Sequence, residues 1–498
     1  MTTSARRRRY KLLASQAKDF WRAYKRNKKG VVGIGLIFFF ILFAIFGPML
    51  SDNDPVKDWD VGGRRVPPAW FRNLPGYENL VPNLKPVTDV GFEDSEGLSE
   101  WDIMANPRGS FAVTHSSEGY DGGGGSGSIL VSLNKAGAPE SAEVKISKTF
   151  TWPYDYPPKR FSCDVSYKAE GVEDTRLTLG VVLVDAKGEK YVLWQRDVSD
   201  TGWTTPEYKV DSYSMKVKMI FPEGVFADPA HKIFNRSGEY EYYFMASFTE
   251  IDSGSSAATR LYVDDLDIRL MGTCYGLLGT DQWGRDVYSQ LAHGAKTSLL
   301  VGLLSAFISV TIGLTVGLFA GFMGGLVDEV SMRFADMLLV IPFLPLLLIL
   351  IAILGQSIIN IILVISLLGW MFFSRTVRSQ VLSLKERAFI EAARAAGGSN
   401  IHIAIRHVLP NVMGLVYVSL ATNVPAAITS EAALSFLGLG DPGVMSWGQM
   451  LHDIVYYAAI KELYWVIPPG LCIALLAVSF VMMGFSLDEI LNPRLRGR

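Results

Sequence analysis

The chain is predicted to be a polytopic α-helical membrane protein with six transmembrane helices and an all-β domain inserted after the first. Three observations predict this. Of 498 residues, 49% are apolar and 19% charged, and the apolar ones gather into blocks of bilayer length that exclude charge. Lys and Arg cluster at alternate ends of those blocks. Between the first and second blocks runs a long stretch of short alternating segments that no bilayer accommodates. A wholly soluble protein is excluded. Lys plus Arg (47) nearly balances Asp plus Glu (49), so whole-chain charge gives no footprint for nucleic acid.

The first block, 31–50, follows a basic start that includes Arg6, Arg7, Arg8, Arg9, Lys11, Lys18 and Lys29. It is long enough for about 30 Å of helix, and no small-residue cleavage site follows it, so it reads as a retained span ending at Gly47-Pro48. Blocks 298–323, 337–354, 358–373, 412–437 and 464–485 are the other five. The basic start places residues 1–30 in the cytoplasm. Even numbers of spans return Arg333, the stretch from Arg375 to Arg406, and the tail Arg494, Arg496 and Arg498 to that side. The outer loops near Gln356 and over 441–462 carry only Lys461.

Residues 51–88 are rich in Pro and Gly and read as an outer linker, and 89–271 as an extracytoplasmic β-domain. Asp185-Ala-Lys-Gly188 separates runs 177–184 and 191–194, and alternation recurs over 215–221, 240–249 and 261–270. Residues 121–128 form a Gly/Ser loop, and 272–297 an outer amphipathic segment before the five-span core 298–498. Cys163 and Cys274 both fall outside the membrane, so one outer disulfide stays open, although nothing in the spacing specifies it.

An energised transporter needs an ion path or a nucleotide site. The spans hold almost no ionisable side chain except Glu431, which reads either as a packing carboxylate or as a proton relay. His293-Gly-Ala-Lys-Thr-Ser298 lacks both glycines of a phosphate loop and precedes a span, so an ATPase must be another chain. The segment 374–410 is more informative. Glu391-Ala-Ala-Arg-Ala-Ala-Gly397 is a good helix former up to Gly397-Gly398, and a second helical stretch, 400–408, is predicted to stop at Pro410. Without further information this is either a shape that fits another protein's groove or a basic loop on headgroups.

Here a resemblance enters. Glu391-Ala-Ala, Gly397 and Leu409-Pro410 resemble the cytoplasmic EAA signature of permease subunits of ABC importers. Leu278-Gly-Thr-Asp-Gln-Trp-Gly-Arg-Asp-Val287, Arg333-Phe-Ala-Asp336, Leu434-Ser-Phe-Leu-Gly-Leu-Gly440 and Ser446-Trp-Gly448 look like the dipeptide/oligopeptide/nickel branch, second-permease type. The resemblance implies a type I permease fold with two permeases forming the path, two ABC ATPases and an external substrate-binding protein, all in a prokaryotic cytoplasmic membrane. It implies no enzyme activity and no cofactor in this chain, with ATP on the partner subunits. It nominates Glu391, Ala392, Ala393, Arg394, Gly397 and Pro410 for ATPase coupling, with Gly397 allowing a tight turn and a close approach. Thr280 or Asp281 is expected to cap a short outer helix, and Asp281, Arg285 and Asp286 are candidates for docking the binding protein or partner permease, or else for local pairing.

The long first outer loop departs from that family. Gly91-Phe-Glu-Asp94 with Trp101, and Leu261-Tyr-Val-Asp-Asp-Leu-Asp-Ile-Arg-Leu270, resemble the first and last strands of jelly-roll carbohydrate-binding modules. That resemblance implies a structural calcium ion on Glu93, Asp264 and Asp265, against plain surface acids, and sugar stacking on Trp152, Trp194 and Trp203, against core packing. The substrate implied is an oligopeptide or dipeptide, with an oligosaccharide as the alternative. Two rivals stand beside transport. One is a membrane-anchored glycan-binding receptor, for which one span would suffice; the other is a glycan hydrolase using carboxylates such as Asp264, Asp265 and Asp267.

Overall fold

The computed structural model of the protein describes residues 21–51, 53–93, 97–120, 127–135, 138–251 and 258–491. The basic residues Arg6 to Lys18, Asp94, most of the Gly/Ser loop and the tail arginines lie outside that range. The chain divides into two compact units, one made of residues up to Trp59 and from Arg285 onward, the other of Asp60–Gly284.

The first unit is helical. Helix α1 (Lys28–Phe46) starts at Asn27, whose Oδ1 accepts from the Gly30 amide at 3.1 Å, and gives way to a 3-10 turn, Gly47–Leu50, at the Gly-Pro pair. After the insert come α2 (Val287–Met323), α3 (Gly325–Val340), α4 (Phe343–Leu354), α5 (Ile358–Gly369), α6 (Met371–Lys385), α7 (Ala388–Ala395), α8 (Leu409–Leu434), α9 (Trp447–Tyr456) and α10 (Leu463–Leu491). Among the described residues five helices are long and apolar enough to cross a membrane, six when the bent pair α3–α4 is counted as one span. The block expected as a span over 337–354 lies across this pair, which is bent by 92° at Ile341-Pro342. Pro342 has no N–H to continue the helical ladder.

Close helix contact is made by glycine. On α2, Gly313, Gly317 and Gly321 recur every four residues. A Cβ on Gly313 would sit 2.7 Å from the Trp370 carbonyl oxygen, one on Gly321 3.0 Å from that of Arg378, and one on Gly317 closer still to that of Ser374. The facing positions on α6 also recur every four residues, so two backbones lie in van der Waals contact along two turns, as small-residue seams in membranes allow. Helix α1 meets α10 in the same way, through Gly30 against Ser486 and Gly33 against the Ser479 carbonyl.

The second unit is a sandwich of two antiparallel sheets. One has the order β1 (Asp102–Asn106), β4 (Ser141–Trp152), β10 (Gly238–Thr249), β6 (Arg176–Val184), β7 (Lys190–Val198). The other has the order β2 (Phe111–Ser116), β3 (Ser128–Leu133), β11 (Thr259–Met271), β5 (Arg160–Glu170), β8 (Thr201–Thr204), with β9 (Val210–Asp211) also on β5. Non-consecutive neighbours in both sheets fit the expected jelly-roll-like winding. Val131, Val144, Ile146, Phe161, Leu179, Phe244 and Ile268 are among the side chains filling the space between the sheets. The turn at 185–188 forms as expected: Asp185 Oδ1 accepts from the amides of Lys187 and Glu189, and Gly188 takes φ +83°.

Two expectations change. Residues 215–221 alternate like a strand, yet Met215–Lys218 is a helical turn, because the Asp211 carboxylate takes the amides of Tyr213 and Ser214 and bends the chain before Met215. The stretch read as a linker is fastened over much of its length. The amides of Asp60, Gly62 and Arg65 bond to the carbonyls of Trp283, Gly284 and Asp281, and Leu84 exchanges both bonds with Leu270. Buried Arg160 adds a bond of 2.6 Å to Asp211 and a pair with Asp60. Cys163 and Cys274 are free thiols, both buried.

Candidate functional site

Between α6 and α8 the chain makes a compact elbow. Helix α7 is docked by Ile390, fully buried in a cluster that includes Phe373, Val377 and Val381 of α6, Leu318 and Phe322 of α2, and Val412 and Val416 of α8. Glu391, Ala392 and Arg394 are exposed and Ala393 is half-buried, so the Glu-Ala-Ala-Arg run lies largely outward. The helix ends in a Schellman motif: Gly397 N bonds to Arg394 O at 3.0 Å and Gly398 N to Ala393 O at 3.1 Å. Gly397 takes φ +82°, and nothing lies within 4 Å of the Cβ it lacks. Within the chain the tight contact is made by Gly398, whose Cβ would fall 2.9 Å from the Ala393 carbonyl oxygen.

After the turn, Ser399 caps Asn400–Ile403 by accepting from the His402 amide at 3.3 Å, and Ile403 joins Ile390 in the core. Pro410 does not stop this helix, a correction to the expectation from sequence. A π-turn, Ala404–Val408, carries the chain into α8, and Pro410 sits in the first turn of that helix, where a missing N–H costs little. At the other side of α6, Arg378 grips Asp328 of α3 with two bonds and Arg375 reaches Asp336 at 2.6 Å.

A cavity of about 450 Å³ lies where α2, the α3–α4 bend, α5 and α8 meet. Its wall is mostly apolar, with Ser305, Ser309, Asn423 and Ser430 as polar points. On α8 these continue a stripe: Ser419, Thr422, Asn423, Thr429 and Ser430 fall on one side of the helix by its 3.6-residue period. Their side chains are partly satisfied by carbonyls one turn back, such as Thr422 to Val418 at 3.1 Å and Ser430 to Ala426 at 2.7 Å.

Glu431 points away from that cavity's wall into the protein. It is buried, accepts from Ser435 Oγ at 2.7 Å and faces the hydroxyls of Ser298 and Ser446. Ser446-Trp-Gly448 closes the same region: Ser446 accepts from Gln449 N, Trp447 Nε1 donates to Leu291 O at 2.9 Å, and Gly448 packs on Ala432.

The outer docking candidates Asp281, Arg285 and Asp286 are all buried. Asp281 Oδ1 accepts from Trp283 N at 2.8 Å. Arg285 reaches Asp453 of α9 at 2.9 Å. Asp286, rather than Thr280 or Asp281, is the helix cap: it accepts from Tyr288 N at 2.9 Å and from Ser51 Oγ at 3.1 Å.

In the sandwich, two of the three expected stacking rings are core. Trp152 is fully buried, donates to Tyr156 O at 3.1 Å and packs on Phe234; Trp194 is buried against Tyr167 and donates to Glu207 at 2.8 Å. Trp203 alone keeps a partly open face, between Tyr120 and Tyr262. The residues nominated for calcium are hydrogen-bonded within the chain or exposed. Both Asp264 oxygens are taken by the amides of Tyr120 and Asp265, Asp265 takes Ser166 Oγ, and Glu93 is exposed. Among the described residues no three His, Cys, Asp or Glu side chains converge as ligands. A cleft of about 590 Å³ nearby is lined by Asp164, Asp267, Arg269 and Tyr208. Burial pushes the carboxyls of Asp264 and Asp267 up to about 6.

Comparison with known proteins decides the family. Residues 313–497 match the binding-protein-dependent transport system inner membrane component, and 15–68 match the N-terminal TM domain of oligopeptide transport permease C. The oligopeptide transport system permease OppC of Escherichia coli K12 is 41% identical over 237 residues, covering 46% of this chain and 78% of that protein. The chain belongs to the inner-membrane permeases of binding-protein-dependent transport systems. Similar to this permease are also the dipeptide permease DppC of Bacillus subtilis strain 168 (36% identical, 44% and 68% covered) and the glutathione permease GsiD of E. coli O1:K1 (36%, 44% and 72%).

The permease is a transport subunit and not an enzyme, and ATP hydrolysis belongs to separate subunits. A permease of this kind works with another permease, ATPase subunits and a binding protein. Its sandwich lies outside both family matches. Solved structures score low: a chain of the inward-facing MetNI methionine ABC transporter gives TM-score 0.32 at 21% identity (40% and 94% covered), and a xylan-binding domain from CBM 22 gives 0.22 at 15% (38% and 99%). Sequence reading of this permease passed over the Gly313/Gly317/Gly321 seam, whose four-residue spacing was the available signal, and the anchors Ile390 and Ile403, which nothing distinguishes from other isoleucines.

Proposed function

We propose that this chain is the second permease of an importer for dipeptides or oligopeptides, working with a homologous permease, two ABC ATPases and an extracytoplasmic binding protein. Both termini and the α6–α8 elbow face the cytoplasm, and the sandwich faces outward. The observation that carries this is α7: a short, Schellman-capped helix that presents Glu391, Ala392 and Arg394 outward while Ile390 roots it in a core shared by α2, α6 and α8. A push on that helix moves three membrane helices as one body, which is what converts ATPase closure into alternating access. Pro410, at the start of α8, passes the motion into the helix that carries the polar stripe.

The peptide substrate is supported by the relatives, whose names specify oligopeptide, dipeptide and glutathione transport. The oligosaccharide alternative drew on the likeness of the insert to carbohydrate-binding modules; of the three rings nominated for stacking there, Trp152 and Trp194 are core.

The test is ATP-dependent uptake of a labelled oligopeptide into proteoliposomes holding the assembled importer. Gly397→Val, which forces a β-branched residue to φ +82°, is expected to cut uptake at least tenfold while the helices stay folded. Gly397→Asn is expected to retain most of it. Normal coupled uptake with Gly397→Val and Glu391→Lys would refute the coupling role. Absence of peptide uptake with saccharide uptake intact would refute the substrate.

A further inference from the structure

Exposed apolar side chains on the sandwich are unevenly placed. Among the described residues of Asp60–Gly284, twelve large apolar side chains are strongly exposed, and ten of them lie within 70–77, at 156, within 215–226 and at 277; Met104 and Val192 are the others. Phe226 is 91% exposed and Met219 63%.

These segments share one end of the sandwich. It is the end where β11 stops and β5 begins: Lys159 N bonds to Met271 O at 2.8 Å, and Ser212 N to Phe161 O at 3.1 Å. The same end holds the last residue of β4 opposite the first of β10, Trp152 against Gly238. Trp70 Nε1 donates to Leu277 O at 2.9 Å, and Phe226 shares a hollow with Pro157, Lys159 and Thr273.

It is also the end through which the chain enters and leaves. Two residues, Arg285 and Asp286, separate Gly284 from the first residue of α2, and the 3-10 turn that follows α1 ends ten positions before Asp60. Ser51 Oγ donates to Asp286, so both crossings sit at one level, just beyond the apolar stretch of α1. A few residues of chain reach only about 3.3–3.6 Å each. The surface has the character of an interfacial belt: Trp70, Tyr156, Phe226 and two methionines, with Arg72, Lys216 and Lys218 interleaved. Trp and Tyr favour the headgroup level, and Lys keeps its charge in water while its stem lies on apolar surface. Exposed apolar side chains gathered at one end of a domain in this way mark an interaction site.

We infer that this end of the sandwich is a lipid-binding surface, seated in the headgroup–acyl boundary of the bilayer that α1 and α2 cross. The inference rests on those two helices as membrane spans and stands apart from the substrate assigned above.

The test is spin labelling of the full-length permease in lipid nanodiscs, with Cys163, Cys274 and Cys472 changed to Ser and one cysteine placed by Phe226→Cys, Met219→Cys or Met104→Cys. Collision with oxygen, which concentrates in lipid, is expected to exceed collision with a water-soluble nickel chelate at 226 and 219, and the ratio is expected to invert at 104. A ratio at 226 equal to that at 104 would place the surface in water. Shielding from both reagents at 226 and 219 would mean that a protein partner covers it. Either result overturns the inference, and Phe226 is so exposed that its replacement leaves folding intact.

Discussion

Arg285 and Asp453, 168 positions apart, form an ion pair of 2.9 Å in which both side chains are largely withdrawn from solvent. The guanidinium also lies 5.9 Å from the centre of the Trp59 ring. This pair fastens the start of α2 to α9 within the subunit. A double-mutant cycle with Arg285→Ala and Asp453→Ala is expected to give a coupling energy of about 1–2 kcal/mol by thermal unfolding in detergent. A coupling near zero would return Arg285 to the pool of docking residues.

The glycine seam predicts graded damage. Gly317→Ala is expected to lower stability by about 1–3 kcal/mol and Gly317→Val by more, because the added carbon meets the Ser374 backbone rather than a side chain that can swing away. Gly414, with nothing within 4 Å of its missing Cβ, is the control. Gly414→Ala should be neutral or stabilising by about 0.5–1 kcal/mol. Equal melting temperatures for all three variants would mean the two helices are not in backbone contact.

Glu431 separates packing from proton traffic. Glu431→Gln keeps an acceptor for Ser435 Oγ, so uptake and its pH profile should be unchanged. Glu431→Leu should destabilise by about 1–3 kcal/mol through loss of that bond. A folded Glu431→Gln protein that no longer transports would show that the group must ionise.

Stability of the sandwich should rise on mild acidification. Burial holds Asp264 and Asp267 near 6 in the folded state against 3.8 as the ordinary value, so between those limits the folded form binds more protons than the unfolded form. The stabilising contribution grows as pH falls from 7 through 6 toward 4 and is lost as pH rises again. Thermal melts at pH 5 and 7 should show the higher value at pH 5, with a smaller difference in Asp264→Asn. Asp155, Asp197 and Glu223 are held below their usual range by hydrogen bonds from Ser237, Thr178 and Lys232, and so act in the opposite sense only at lower pH. A flat profile from 5 to 7 would contradict the burial of both carboxyls.

Much of the architecture was legible because membranes and sheets write strong periodic signals. Apolar block length gave the spans, Gly47-Pro48 gave the end of α1, and Asp185 to Gly188 gave a hairpin, each through a local preference that tertiary structure had no reason to override. The α7 cap was readable too, since glycine takes φ +82° at no steric cost. The failures share a cause. Residues 215–221 alternate as a strand would, but alternation supplies no neighbouring edge to pair with, and the Asp211 carboxylate captured the backbone first.

By itself, the sequence determined the family and the helical and β classes of the two parts, because these follow from residue types at short fixed spacings. Only the tertiary structure decided which side chains are surface. Trp152 and Trp194 turned inward, Arg285 found Asp453, and Pro410 began a helix instead of ending one. Burial and pairing depend on what distant segments bring to the same place, and that information is not carried by any single stretch of chain.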